Sequence, residues 1–380
     1  MRRRIFTEDH ELFREAARAF CMKECVPHLA EWEQAGGSGR DVWLKAGAAG
    51  LLGWEVPEEF GGSGIRDFRF NAILTEETTA SGAGGVGFAL NNDVVVPYLI
   101  TLANDEQKRR WLPGMVTGEV ITAIAMSEPG AGSDLKSITT TAVRDGDEYV
   151  LNGAKTFISN GRTATHVMVA AKTDATAGHR GVSLLMVEDG MPGFERGRQL
   201  DKIGLKSADT SELSFDNVRV PVANLVGEEN KGFYAMMHNL PSERLGIAVH
   251  GVARATRAFE VTLEYARTRE AFGQPIGSFQ ANRFALAEIK TKIDVMQILV
   301  DRCIEEVLSG TLTADEAAEV KMWVTETEWE VLDRCLQLHG GYGYMSEYEI
   351  ATLWRDGRVQ RVYGGTSEIM KEIIGRSLGL

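Results

Sequence analysis

Positive charge, cysteine and long apolar runs are all scarce in this chain of 380 residues. Lysine and arginine number 41 against 54 aspartates and glutamates, a formal charge of -13. That balance leaves no broad cationic surface for polyphosphate and argues against a nucleic-acid-binding role. Four cysteines without paired framework spacing suit a reduced compartment rather than a disulfide scaffold. Cys21 and Cys25, one helical turn apart, read as buried helix residues. No apolar stretch approaches the roughly 18 residues of a spanning helix. The opening Met1-Arg2-Arg3-Arg4 has the charge of a signal peptide, but Glu8 and Asp9 stand where its apolar run should follow. The expectation is a soluble, cytoplasmic protein. Nucleophile-elbow, P-loop and zinc patterns are missing too, and neither His250 nor His339 has a second ligand at metal spacing. No metal is expected, and both histidines read as structural or cofactor-adjacent.

What is present is a 44% hydrophobic chain able to bury a large core in two or three domains. From Thr7 to Gly118 apolar residues recur every three and four positions, as in Leu12, Phe13, Ala16, Ala17 and Phe20, which predicts helices. From Val120 to Gly227 the signals are those of strands. Asp145-Gly146, Asn152-Gly153 and Asn160-Gly161 separate short runs such as Val182 to Val187, predicting an antiparallel barrel or sandwich. After Gly227 to Gly232 long helical periodicity returns and includes Phe284, Leu286, Ile289, Ile293, Met296 and Leu299. The predicted architecture is α+β, mainly α: an N-terminal helical domain over 1–119, a middle antiparallel β-barrel domain over 120–228 and a C-terminal four-helix bundle over 229–380. Gly82-Ala83-Gly84-Gly85-Val86-Gly87 matches the G-x-G-x-x-G dinucleotide pattern with Asp105 beyond it. The segment before it is helix-patterned and no βαβ unit surrounds it, so it reads as a glycine loop between helices.

Four motifs carry chemistry. Ser127-Glu128-Pro129-Gly130-Ala131-Gly132-Ser133-Asp134 is a turn-rich loop whose free amides suit an anionic or carbonyl-rich ligand. Lys155 to Asn160 follows, then Arg269-Glu270-Ala271-Phe272-Gly273, and then the tail Gln337-Leu338-His339-Gly340-Gly341 with Tyr363-Gly364-Gly365-Thr366-Ser367-Glu368. In this order, over nearly the whole chain, they resemble the signatures of the acyl-CoA dehydrogenase flavoenzymes, nearest the long-chain and isovaleryl branch. The resemblance implies FAD as cofactor. It implies flavin contacts from Met126, Ser127, Ser133, Phe157 and Ser159, with further cofactor contacts from Thr366 and Glu368. Phe157 keeps a π-face without an indole donor, and Ser159 keeps a hydroxyl. The ADP half falls to Arg269, Phe272, Gln337, Gly340 and Gly341 of a neighbouring subunit, where an arginine fork suits diphosphate and glycines allow close approach. A homo-oligomer is therefore expected, and the resemblance implies a tetramer made of two dimers.

Most branches of that family place a catalytic glutamate where this chain has Gly364. Glycine cannot take a proton from carbon. In the long-chain and isovaleryl branches the base belongs to a Glu-Arg-Leu motif, matched here by Glu243-Arg244-Leu245 after a helix irregularity expected at Pro241. The implied reaction is α,β-dehydrogenation of an acyl-CoA: Glu243 removes the α-proton, Arg244 orients or tunes it, and the β-hydride goes to flavin. The Gly364 amide would polarise the thioester oxygen, a task for backbone alone. Electron-transfer flavoprotein is the implied acceptor. The acyl pocket is expected along Phe88 to Val96, with chain length and branching unspecified. Two alternatives remain open from the residues, a flavin oxidase or monooxygenase of the same fold and a non-enzymatic binding protein.

Overall fold

The computed structural model describes residues 3–380. Six helices open the chain: α1 (Glu8–Phe20), α2 (Leu29–Ala35), α3 (Asp41–Ala48), α4 (Phe68–Ala80), α5 (Val96–Leu102) and α6 (Asp105–Thr117). The α6 start shows why the chain turns helical there. Asn104 accepts from the Gln107 amide at 2.9 Å while the Gln107 side chain accepts from the Asn104 amide at 3.0 Å, which satisfies two otherwise orphaned donors. The Gly82 to Gly87 loop lies between α4 and a π-helical turn, Leu90–Val95, with no βαβ unit.

Eight strands follow: β1 (Thr122–Ala125), β2 (Thr141–Asp145), β3 (Glu148–Ser159), β4 (His166–Lys172), β5 (Val182–Glu188), β6 (Phe194–Gln199), β7 (Thr210–Pro221) and β8 (Leu225–Val226). They form one sheet in the order β6-β7-β3-β2-β4-β5-β8, with β1 also on β4. The barrel expected from the sequence corrects to an open path, since its end strands β6 and β8 do not pair with each other. Nor is the sheet wholly antiparallel: β4 runs parallel to both β1 and β2. Hairpin signals announce neighbours joined by tight turns, whereas parallel pairings come from distant segments that no local signal marks.

Helices then return as α7 (Gly232–Thr268), a two-stranded hairpin β9 (Glu270–Ala271) and β10 (Gln274–Pro275), α8 (Gln280–Ser309), α9 (Ala314–Leu338), α10 (Glu349–Gly357) and α11 (Ser367–Ser377). The apolar stripes of α7, α8 and α9 converge on one core that includes Val252, Ile293, Met296, Val324 and Val331. The irregularity expected at Pro241 is not seen as a break, because α7 runs through it for 37 residues. Proline removes one backbone donor there, and packing along the rest of so long a helix carries it past.

Candidate active site

Helix α7 delivers Glu243 into a recess against α5. Burial pushes its carboxyl up to about 7, against the opposing hydrogen bond from Tyr98 and the charge of Arg244. Tyr98 Oη donates to Glu243 Oε1 at 3.3 Å. Glu243 is nevertheless only half-buried, and Tyr363, equally deep, keeps 38% of its surface accessible. Both side chains therefore keep surface that a ligand can meet.

The next residue ties this helix to the loop that replaces the missing glutamate. Arg244, 6% exposed, donates from Nε to the Gly364 carbonyl at 3.4 Å. Lys321, fully buried on α9, donates from Nζ to the Gly365 carbonyl at 2.5 Å. Burial, helped by the charge of Arg244, pushes this lysine down to about 8. With both carbonyls turned onto cations, the loop backbone is held at φ +64° at Gly364 and +97° at Gly365, where glycine is strongly preferred. Among the described residues the Gly364 N–H donates to no backbone carbonyl. Glu243, Arg244 and Gly364, more than a hundred residues apart in part, thus meet at one place.

A second group lies at the start of the sheet. The Thr156 amide donates to the Ser127 carbonyl at 3.0 Å, which fixes the Met126-Ser127 turn beside β3. Lys155 Nζ, with its side chain wholly buried, donates to the Met126 carbonyl at 3.0 Å and to Glu128 Oε1 at 2.9 Å. Glu128 also accepts from the Thr139 and Thr140 amides at 2.6 and 3.0 Å. Burial alone would raise this carboxyl, yet the bonds from Thr140 and Lys155 hold it down to about 2. Within a register shift of the β3–β7 pairing, between Lys155 and Ile158, Phe157 sits at φ +61° and is 70% exposed. An aromatic residue in that region is strained, and strain of this kind concentrates at ligand sites. Ser159 and Ser133 are exposed nearby in sequence, at the end of β3 and in the turn after Gly132.

A third group sits at the far end of α7. Arg269, Gly340 and Gly341 line a cavity of about 460 Å³ with Tyr265, His339 and Tyr342. A Cβ on either glycine would meet nothing within 4 Å, so bare backbone faces open space. His339 stacks on Tyr265 with ring centroids 4.2 Å apart, and its Nδ1 is buried without a partner. Exposed Gln337 lies on the last turn of α9, outside that lining. Phe272, 95% exposed at φ +53°, projects from the turn of the β9–β10 hairpin. Twenty-six helical residues separate Glu243 from Arg269, about 39 Å along the axis. The Arg269 set therefore lies far along α7 from Glu243, and the Met126 to Ser159 set lies on the sheet and its turns. Thr366 and Glu368 fall at the Gly364 end. The Thr366 hydroxyl accepts from the Ile369 amide at 3.3 Å as the cap of α11, and Glu368 is exposed in its first turn.

Sequence reasoning missed four residues here: Tyr98, Glu128, Lys155 and Lys321. For Lys321 the signal was available, since it interrupts the inward-facing positions Ala317, Ala318, Val320 and Val324, and a buried lysine needs a partner.

The features fit FAD on their own terms. A strained, exposed aromatic face stands beside a hydroxyl-rich turn, and an arginine stands beside bare glycine backbone in a cavity.

Three family models of acyl-CoA dehydrogenase match, for the N-terminal domain over residues 7–119, the middle domain over 123–218 and the C-terminal domain over 230–379. The long-chain specific acyl-CoA dehydrogenase of Sus scrofa mitochondria is 47% identical, with 99% of this chain and 88% of that protein covered. The mitochondrial isovaleryl-CoA dehydrogenase of Oryza sativa is 36% identical over 98% of this chain and 92% of its own. A crystal structure of acyl-CoA dehydrogenase from Geobacillus kaustophilus superposes with a TM-score of 0.97 at 48% identity, covering 99% and 100% of the two chains. This chain belongs to the acyl-CoA dehydrogenase family of FAD-dependent oxidoreductases.

Proposed function

We propose that Glu243 is the base that removes the α-proton of a long-chain or branched-chain acyl-CoA. The observation that carries this reading is the meeting of Glu243 with the Gly364 loop through Arg244, in a recess where burial brings the carboxyl to about 7. An acid there is half ionised near neutrality and can both take and release a proton. Tyr98 steadies the carboxylate by donating to Oε1. The unengaged Gly364 N–H is the donor aimed at charge developing on the thioester oxygen, its loop held by Arg244 and Lys321. Bound FAD supplies the acceptor for the β-hydrogen. Met126, Ser127, Phe157 and Ser159 would hold its ring end, with Ser133 toward the diphosphate. Arg269, Phe272, Gln337, Gly340 and Gly341 of a second copy would hold its ADP end, as the resemblance to the family implies. Thr366 and Glu368 belong to the cofactor set through the α11 start. Electron-transfer flavoprotein is the proposed acceptor, and a tetramer of two dimers the proposed assembly.

The deciding experiment is anaerobic flavin reduction over a survey of acyl-CoA lengths and branches, followed by turnover with electron-transfer flavoprotein or with oxygen. Fast reduction with slow oxygen turnover supports the dehydrogenase, whereas peroxide formed at the rate of substrate loss would make the protein an oxidase.

Two variants extend the test. Arg269→Ala is expected to weaken FAD binding by about 1.5–3 kcal/mol through loss of a charge-assisted diphosphate contact. Flavin absorbance after dilution and gel filtration reads it, and full retention rejects the assignment. Moving the base is harder than the motif suggests. A Cβ on Gly364 would come within 2.3 Å of Ile247 Cδ1, and a side chain at φ +64° costs about 1–2 kcal/mol. Glu243→Gly with Gly364→Glu should therefore recover little flavin reduction, and adding Ile247→Ala should recover more. Equal rates with and without the Ile247 change would show that this contact does not limit the rescue.

A further inference from the structure

One helical turn past Glu243 a second carboxyl reaches the same recess. Asp93 sits in the π-helical turn Leu90–Val95, a rare geometry that rotates side chains out of helical register. Its neighbour Asn92 fixes this turn to the preceding loop, accepting from the Gly53 amide at 3.0 Å and donating to the Leu51 carbonyl at 3.0 Å. The Asp93 carboxyl is thereby brought against α7 at Gly246, where a Cβ would stand 3.7 Å from Oδ2. Gly246 follows Glu243 by three residues, about 4.5 Å along the axis on nearly the same face.

The corner around Asp93 is rich in acceptors and poor in donors. Asn71 Nδ2 donates to Asp93 Oδ1 at 2.8 Å, and among the described residues no other side chain or amide donates to this carboxyl. Asn71 is 2% exposed, and its own Oδ1 is buried without a donor. The Glu55 carboxyl, near enough to Asp93 to disfavour a charge on it, accepts no hydrogen bond among the described residues. Burial pushes both acids up to about 7. Asp93 and Glu55 nonetheless keep accessible surface, as Glu243 does. An alkyl chain laid across this corner would cover the oxygens and leave them unpaired, which is costly, whereas a group that donates a hydrogen bond satisfies them.

We propose that Asp93, oriented by Asn71, forms a specificity site for acyl chains bearing a hydroxyl group, which donates to the Asp93 carboxylate. The proposal rests on the acyl-CoA reading of the Glu243 recess. The offset of one turn corresponds to roughly three or four carbon–carbon bonds beyond the α-carbon. That places the hydroxyl near the fifth or sixth carbon of the acyl group. A ketone at the same carbon accepts but cannot donate, so the ionised carboxylate discriminates against it.

The plain acyl-CoA length that reduces the flavin fastest is found first. A positional series of hydroxyacyl-CoAs of that length is then compared with the plain thioester and with the matching ketoacyl-CoAs, by kcat/KM in the native enzyme. One hydroxyl position is expected to exceed both the plain chain and its ketone by about tenfold or more. Asp93→Leu should invert the order in favour of the plain chain, and Asp93→Asn, which keeps the shape, should retain part of the preference. The proposal is overturned if the plain chain matches or exceeds every hydroxy isomer in the native enzyme, or if the best plain chain has fewer than five carbons. Neither outcome depends on a variant folding. If no thioester reduces the flavin, the acyl-CoA reading falls and this inference falls with it.

Discussion

Glu243→Gln is expected to leave acyl-CoA binding intact and to slow substrate reduction of the bound flavin by about 10²–10⁴. The amide keeps the size of the side chain and an oxygen for Tyr98 to donate to, at 3.3 Å in the native chain, but it cannot accept the α-proton. The loss should therefore appear in the reduction rate at saturating substrate and not in the binding constant. The pH profile carries the same information. Only the ionised carboxyl is a base, so the native rate should rise with pH through about 7 and level off above it. The residual rate of the glutamine variant should lack that step. Near-normal reduction would remove Glu243 from the chemistry, and a variant that unfolds or loses its flavin would make the residue structural.

Lys155→Met should destabilise the protein by about 3–5 kcal/mol, because it strands Glu128 as an unpaired buried charge. The Lys155–Glu128 pair has side chains 0% and 3% exposed at 2.9 Å, so solvent does little to soften the loss. The same substitution frees the Met126 carbonyl, whose turn is a proposed flavin contact, and flavin content should fall with stability. Adding Glu128→Gln removes the stranded charge and should recover much of the stability without restoring the flavin site. Urea unfolding and the flavin-to-protein absorbance ratio separate the two effects. A single variant as stable as the native chain would show that water or a shift in protonation compensates Glu128.

The two helical regions were legible because their apolar positions repeat every three to four residues over long stretches, as in Leu286, Ile289, Ile293 and Met296. The strands were legible through their glycine turns. Closure of the sheet was not, since nothing local distinguishes an edge strand from one that pairs across a barrel, and the parallel β1–β4 pairing joins segments some forty residues apart. At the site, glycine and charged motifs exposed Glu243, Arg244, Gly364 and Arg269. Residues that hold those in place were harder to see. Lys321 and Tyr98 act through one bond each to a carbonyl and a carboxylate far away in the chain, and such a bond leaves no mark on spacing. The continuity of α7 through Pro241 was decided by tertiary packing against the expectation from a single residue.

Three carboxyls, Glu55, Asp93 and Glu243, are pushed by burial up to about 7, so these groups take up protons as the chain folds near neutrality. In the unfolded chain these acids titrate near 4. Between about pH 4.5 and 7 the folded state then binds more protons than the unfolded one, and these groups lower stability as pH rises across that window and not beyond it. Glu128, held near 2, acts in the opposite sense, with stability lost only as pH falls below about 4.5. His250, pushed down to about 3 by burial, works against them by giving up its proton as the chain folds below about pH 6.5, and the formal charge of -13, which counts all these acids as ionised, overstates what they contribute in the folded protein at pH 6.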